Sequence, residues 1–364
     1  MATVPEAVEG LVVRGLGVLP DRVARVFAGR PVRIEGQVLD PHVQLALKLE
    51  GLAGGFDPAP VAEVRERRRH DARVFRGRRI EMLRVEPLGI PGPAALIRAR
   101  LYVPAGLAAN APLVVYYHGG GHVIGDLDTH DQPCRFLARE IPAPVLAIDY
   151  RLGPEHRFPA AVDDALTAFS HAHAEAAALG ADPERILVAG DSAGANLAAV
   201  VAQLTHTAGG PAPAFQALVY PVTDYSFKRP SYETFAEGFF LTRVEMDWFR
   251  DNYFADAADR TDPRASPILA EDLSGLPPAD IVSAGFDPLR DEAEDYADRL
   301  RAAGVPTTLR RESDLVHGFV NAVGLGGRAR EAMAEIAAAL RVGLAARARE
   351  RTERQAATLS DAPG

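Results

Sequence analysis

The spacing of hydrophobic positions changes near residue 79. Before it, "PHVQLALKLEGLAG" carries an apolar stripe at helical spacing, and "APVAEVRERRR" predicts a second helix after the proline-rich break at 58–60. From 79, "RIEMLRVEPLGI" and "ALIRARLYVP" alternate as strands do around the turn "PGPA", which predicts an antiparallel pair. Short apolar runs then recur between Ala-rich helical stretches: "PLVVYYH", "APVLAIDY", "ERILVAGD", "FQALVYPV", "ADIVSAGFD" and a more polar "PTTLRRES". Continuous apolar strands separated by helices are what a mostly parallel sheet covered on both faces requires. The fold class expected is therefore α/β, a doubly wound sheet.

The stretch between "ALVYPV" and "ADIVSAG" is too long for an ordinary crossover and contains the aromatic-rich "TFAEGFFLTRVEMDWFRDNYF". It predicts a lid insertion over 224–262, acting with an N-terminal helical cap segment at 1–70. The insertion lies within a main α/β domain at 71–345, and the cap segment precedes that domain. Residues 346–364, polar and small, are expected to be a frayed tail. No internal repeat interrupts this plan.

Composition narrows the classes of function. Hydrophobic residues make up 48% and charged residues 24% of the 364, which fits a folded globular chain and no disordered or fibrous one. The net charge is −9, and the basic residues are Arg apart from Lys48 and Lys228. An acidic whole argues against a nucleic-acid partner, and "RERRRH" at 65–70 reads as a solvated helix face. The single cysteine, Cys134, forms no internal disulfide and reads as a buried, inert thiol on a helix. With no basic-then-apolar leader and no long uncharged apolar run, the expected location is cytoplasmic, with no membrane span.

The candidate chemistry starts at "HGGGHVIGDLDTHD", residues 118–131. His118, His122, Asp126, Asp128 and His130 invite a metal reading, but three glycines strip side chains where a metal cage needs them stiff. A second stretch explains the glycines better. Gly190-Asp191-Ser192-Ala193-Gly194 lies between an apolar strand and an Ala-rich helix, the context in which G-x-S-x-G makes a nucleophile elbow. A serine needs a base, and the base an orienting acid, in the chain order Ser, Asp or Glu, His. His317 in "SDLVHGFV" follows the last strand candidate, whereas His206, the other downstream histidine, falls on the nucleophile helix and reads as surface. Asp287 ends the strand "DIVSAGFD" and is preferred as the acid; Asp291, one turn inside the next helix, is the alternative. The glycine run then stands at a strand end, the position of an HGGG-type oxyanion loop, with Gly120, Gly121 and Ala193 as amide donors.

Together "HGGGHVIGDLDTHD", "DYRLGPEHRFPAAVDD", "GDSAGANLA", "YPVTD", "FDPLRDE" and "HGF" resemble the hormone-sensitive-lipase family of α/β-hydrolases, in particular microbial carboxylesterases with a GDSAG elbow. The resemblance covers roughly residues 40–340. It implies an eight-stranded sheet, a helical cap, hydrolysis of short- to medium-chain acyl esters and no cofactor. It also implies that a homodimer is common among similar proteins. The position after the glycines usually carries an aromatic residue in that family, and His122 is read here as a polar substitution on the pocket wall.

Several finer expectations follow. Arg151 and Glu155 are expected to pair, and His42, His70, His156, His171 and His173 to be surface or structural. Phe235, Phe239, Phe240, Trp248 and Phe249 either line an acyl pocket or form lid core; Phe239 and Phe240, with His122, are the candidate substrate contacts. The same triad also serves acyl transfer to an alcohol, or lactone and amide hydrolysis. The competing class is a non-catalytic ligand-binding protein of the same fold, like the plant gibberellin receptors, against which the histidine at 317 argues.

Overall fold

The computed structural model describes residues 6–52, 56, 58–108 and 110–360. The chain opens with α1 (Glu6–Gly17) and α2 (Asp21–Ala28), a small antiparallel ribbon of β1 (Arg33–Ile34) and β2 (Gln37–Val38), then α3 (Pro41–Leu52) and α4 (Val61–Phe75). The main sheet follows: β3 (Arg84–Pro91), β4 (Leu96–Val103), β5 (Ala111–Tyr117), α5 (Asp131–Glu140), β6 (Val145–Asp149), α6 (Ala160–Ala174), β7 (Ala181–Asp191), α7 (Ala193–Thr207) and β8 (Phe215–Val219). After β8 come a five-residue α8 (Pro230–Thr234) and α9 (Arg243–Tyr253), both inside the 224–262 segment. The chain closes with β9 (Ala279–Phe286), α10 (Arg290–Ala302), β10 (Thr307–Val316) and α11 (Gly327–Ser360).

The eight strands lie in the order β10-β9-β8-β7-β5-β6-β4-β3. All neighbours are parallel except β3 with β4 and β4 with β6. The central strands are largely apolar because helices cover both faces; β5, β8 and β9 are buried at every position, Gln216, Asp280 and Ser283 included. One core cluster joins α6, α7 and α10 to one face of the sheet, and a second joins α5 and α11 to the other.

Three boundaries depart from the sequence reading. Residues 79–83 stay out of the sheet because α5 captures them: Ile80 N–H donates to Gln132 Oε1 and Ile80 O accepts from Arg135. The polar run "PTTLRRES" extends to Val316 as an edge strand, with Glu312 accepting from Arg310 and Arg328. Charges of this kind blunt an open edge against pairing with another chain. The frayed tail expected from 346 is instead a continuation of α11 to Ser360, on a sequence of Ala, Arg and Glu that favours helix. Residues 361–364 lie outside the described residues.

Candidate active site

Every candidate of the triad sits one step beyond the carboxyl end of a parallel strand. Ser192 follows β7, Asp287 follows β9 and His317 follows β10, while the glycine run follows β5. Brought to one edge by the strand order, they meet. His317 Nδ1 lies 2.8 Å from Asp287 Oδ2, and His317 Nε2 lies 3.0 Å from Ser192 Oγ. The second oxygen of Asp287 accepts the Leu289 N–H at 2.8 Å, so the fully buried carboxylate is fixed on both sides. With Nδ1–H donating to the acid, Nε2 is left as the acceptor for the serine hydroxyl. Asp291, the alternative acid, is elsewhere: it accepts from Ser231 N–H and from Arg290.

Ser192 has φ 55° and ψ −120°, a left-handed conformation that a non-glycine residue adopts only under constraint. The constraint is the turn itself. A methyl group on Gly194 would stand 2.0 Å from the Tyr117 carbonyl oxygen, and one on Gly190 would stand 2.4 Å from the Gly194 carbonyl carbon. Both outer positions of the motif are therefore glycine because β5, β7 and α7 touch there through backbone.

The glycine loop is anchored to that elbow by Asp191. Its carboxylate accepts the Gly119 N–H at 3.0 Å and the Tyr116 hydroxyl at 2.7 Å, and His130 Nε2 lies 3.3 Å away. Burial opposes the charge, but His130, Tyr116 and Gly119 outweigh it and hold the carboxyl below its ordinary range. Among the described residues, no turn or loop hydrogen bond uses the N–H of Gly120, Gly121 or Ala193 as its donor. Also among them, no group of three His, Cys, Asp or Glu side chains is placed to hold a metal.

Several side chains of the sequence reading take other places. His122 is fully buried, with its ring stacked on Tyr253 at 4.1 Å. Both its nitrogens lack partners, and burial, with His118 beside it, pushes its pKa down to about 3. It fills the position as an aromatic ring would. Phe235 is likewise core, packed on Phe286. Phe239 packs edge-on against Phe235 and tilted against Phe286, half-buried. Phe240 reaches the site: a methyl group on Gly318, the residue after His317, would meet its ring at 2.9 Å. Phe249, a buried core ring, bears on the glycine loop, with Cγ 2.2 Å from where a methyl group on Gly121 would stand.

The basic run on α4 is not a solvated face. Arg65 donates to the carbonyls of Val123 and Gly153 and grips Glu155 with both Nη atoms, each at 2.8 Å. Arg68 meets Glu245 of α9 at 2.6 Å, and Arg69 meets Asp126 at 2.7 Å. These carboxylates and carbonyls are far away in sequence, so local charge patterning carried no trace of them. Arg151 accordingly pairs with Asp164 at 2.8 Å and not with Glu155.

A fold of this topology with a Ser, His and Asp line at the strand ends defines an α/β hydrolase. The family model described as the alpha/beta hydrolase fold matches residues 114–321, and the chain belongs to that family, in its hormone-sensitive-lipase-like branch. The chain is 47% identical over 350 residues to a carboxylic ester hydrolase, LipN, of Mycobacterium tuberculosis, covering 93% of each. It is 42% identical over 226 residues to an ethyl acetate hydrolase of Pseudomonas putida, covering 61% of this chain and 70% of that one. Among solved structures it is similar to a hyperthermophilic esterase from Pyrobaculum calidifontis, with a TM-score of 0.81 and 41% identity over 84% of this chain and 98% of that one.

Proposed function

We propose that this carboxylic ester hydrolase cleaves short- to medium-chain acyl esters through an acyl-enzyme on Ser192. Ser192 Oγ attacks the ester carbonyl while His317 Nε2 takes its proton, and Asp287 holds the imidazole in the productive tautomer and stabilises the imidazolium. The amides of Gly120, Gly121 and Ala193 receive the developing oxyanion. His317 then protonates the departing alcohol, and a water molecule, deprotonated by the same nitrogen, releases the acid. No cofactor enters these steps.

The observation that carries the reading is the unbroken line Asp287–His317–Ser192 at 2.8 and 3.0 Å. The relatives named as ester hydrolases agree with it. The preference for modest acyl groups rests on Phe240 and Phe249, which stand against Gly318, next to His317, and Gly121 of the glycine loop. The test is Ser192→Ala with p-nitrophenyl butyrate. Turnover is expected to fall by several orders of magnitude, and a rate near that of the unaltered protein would end the assignment. Product analysis with water and with added alcohol as acceptors separates hydrolysis from acyl transfer.

A further inference from the structure

The lid presents one face of α9 to the site. Glu245, Phe249 and Tyr253 recur every four residues and so share that face. Phe249 bears on Gly121 of the glycine loop, and Tyr253 stacks on His122 one residue later. The third member, Glu245, is bound by Arg68 of α4 at 2.6 Å. The Arg68 guanidinium also lies over the Phe240 ring, 4.9 Å from its centroid, and Phe240 in turn bears on Gly318 beside His317. Two aromatic side chains therefore bear on neighbours of the triad, Phe249 on Gly121 of the glycine loop and Phe240 on Gly318 beside His317. Arg68 grips the helix that carries the first and the ring of the second.

We propose that Arg68 is a positioning residue that sets the width of the opening between Phe240 and Phe249, and through it the bulk of the ester admitted to Ser192. The inference rests on the esterase reading above and concerns the substrate range of that same site. The energetics make the clamp strict. Glu245 is 1% exposed, and its Oε2 has no partner, so Arg68 is the group that compensates its charge. Removing the arginine leaves a buried carboxylate uncompensated, which the lid relieves by moving Glu245 out to water. Replacing both residues by apolar ones removes that drive, because neither charge then needs water.

The experiment compares kcat/KM for p-nitrophenyl octanoate and p-nitrophenyl acetate in the full chain. Arg68→Met is expected to raise the octanoate-to-acetate ratio about tenfold, and Arg68→Met/Glu245→Met to bring it back within about threefold of the unaltered protein. A ratio in Arg68→Met within twofold of the unaltered protein overturns the proposal, as does a double variant with the profile of the single one. A loss that is equal for both esters marks a merely structural pair and also overturns it. Should Arg68→Met fail to fold, Arg68→Lys keeps a charge for Glu245 but loses the flat guanidinium over Phe240. An intermediate ratio in that variant supports the clamp, and an unchanged one overturns it. Failure of the esterase reading itself is distinguishable, because the unaltered protein would then hydrolyse neither ester.

Discussion

Gly121→Ala tests the glycine loop and its contact with α9 together. The residue has φ 59°, where a side chain costs about 1–2 kcal/mol of backbone strain. Its added methyl would stand 2.2, 2.4 and 2.7 Å from Cγ, Cδ1 and Cδ2 of Phe249. Carbon atoms rest about 3.5–4.0 Å apart, so the ring or the loop must give way by roughly 1.3 Å or more. Phe249 is held on α9, whose neighbouring turns are fixed by Glu245 on Arg68 and Tyr253 on His122. Part of the displacement therefore falls on the loop. A misplacement of about 1 Å at a reacting centre costs about 100-fold, which is about 2.7 kcal/mol of barrier. The expected outcome is a fall of about 100-fold in kcat/KM for p-nitrophenyl butyrate with the fold retained by circular dichroism. Phe249→Ala makes room for the methyl, so the double variant should lose only about tenfold relative to Phe249→Ala alone. If Gly121→Ala stayed within threefold of the unaltered protein, or if Phe249→Ala gave no relief, the contact would not be holding the loop.

Two further outcomes concern buried titratable groups. Burial raises the Glu50 carboxyl to about 7, with Arg68 opposing that shift and Glu245 and Asp71 adding to it. A folded-state pKa above the unfolded value means stability that is full below about 4.5 and lost as pH rises through 7. Glu50→Gln should therefore match the unaltered protein in thermal midpoint at pH 5 and exceed it at pH 8.5; equal midpoints at both values would refute the assignment. His122→Phe keeps the stack on Tyr253 while removing two buried nitrogens without partners, and is expected to stabilise by about 1 kcal/mol in urea unfolding. Because the imidazole pKa is lowered to about 3, the unaltered protein loses stability as pH falls from 6.5 towards 3, so the advantage should widen with acidity. A destabilisation of more than 1 kcal/mol would mean that the nitrogens are satisfied by bound water.

The sheet was legible because its signal is local. Runs such as "PLVVYYH" and "ERILVAGD" carry their own burial pattern, and strand ends are where the carboxyl-end rule places chemistry, so Ser192, Asp287 and His317 could each be chosen before their meeting was visible. The misread elements are those whose environment is supplied from far away. Residues 79–83 alternate like a strand, yet Gln132 and Arg135 take up the Ile80 backbone. The Arg and Glu residues after 345 look like a solvated tail, but the same residue types continue a helix whose apolar stripe begins earlier, at Ala329, Ala332, Met333 and Ile336.

The same asymmetry divides the site. Its reacting half is written in motifs because backbone geometry demands particular residues at fixed spacing: a serine at a left-handed position, and glycines where β5 and α7 approach through bare backbone. The contacts that hold α4 against α9 and the glycine loop are single long-range pairs, and these obey no spacing. Arg65, Arg68 and Arg69 follow one another at the intervals of an ordinary charged helix, and nothing in "RERRRH" distinguishes a side chain that ends in water from one that ends on Val123 O, Glu245 or Asp126. Only the partner's place in the fold does so: Glu245 is 1% exposed, and Arg68 is the side chain that reaches it. The buried carboxylate on the aromatic helix α9 is thus matched by a cation that only the folded chain brings near, and α4 is where the fold supplies it.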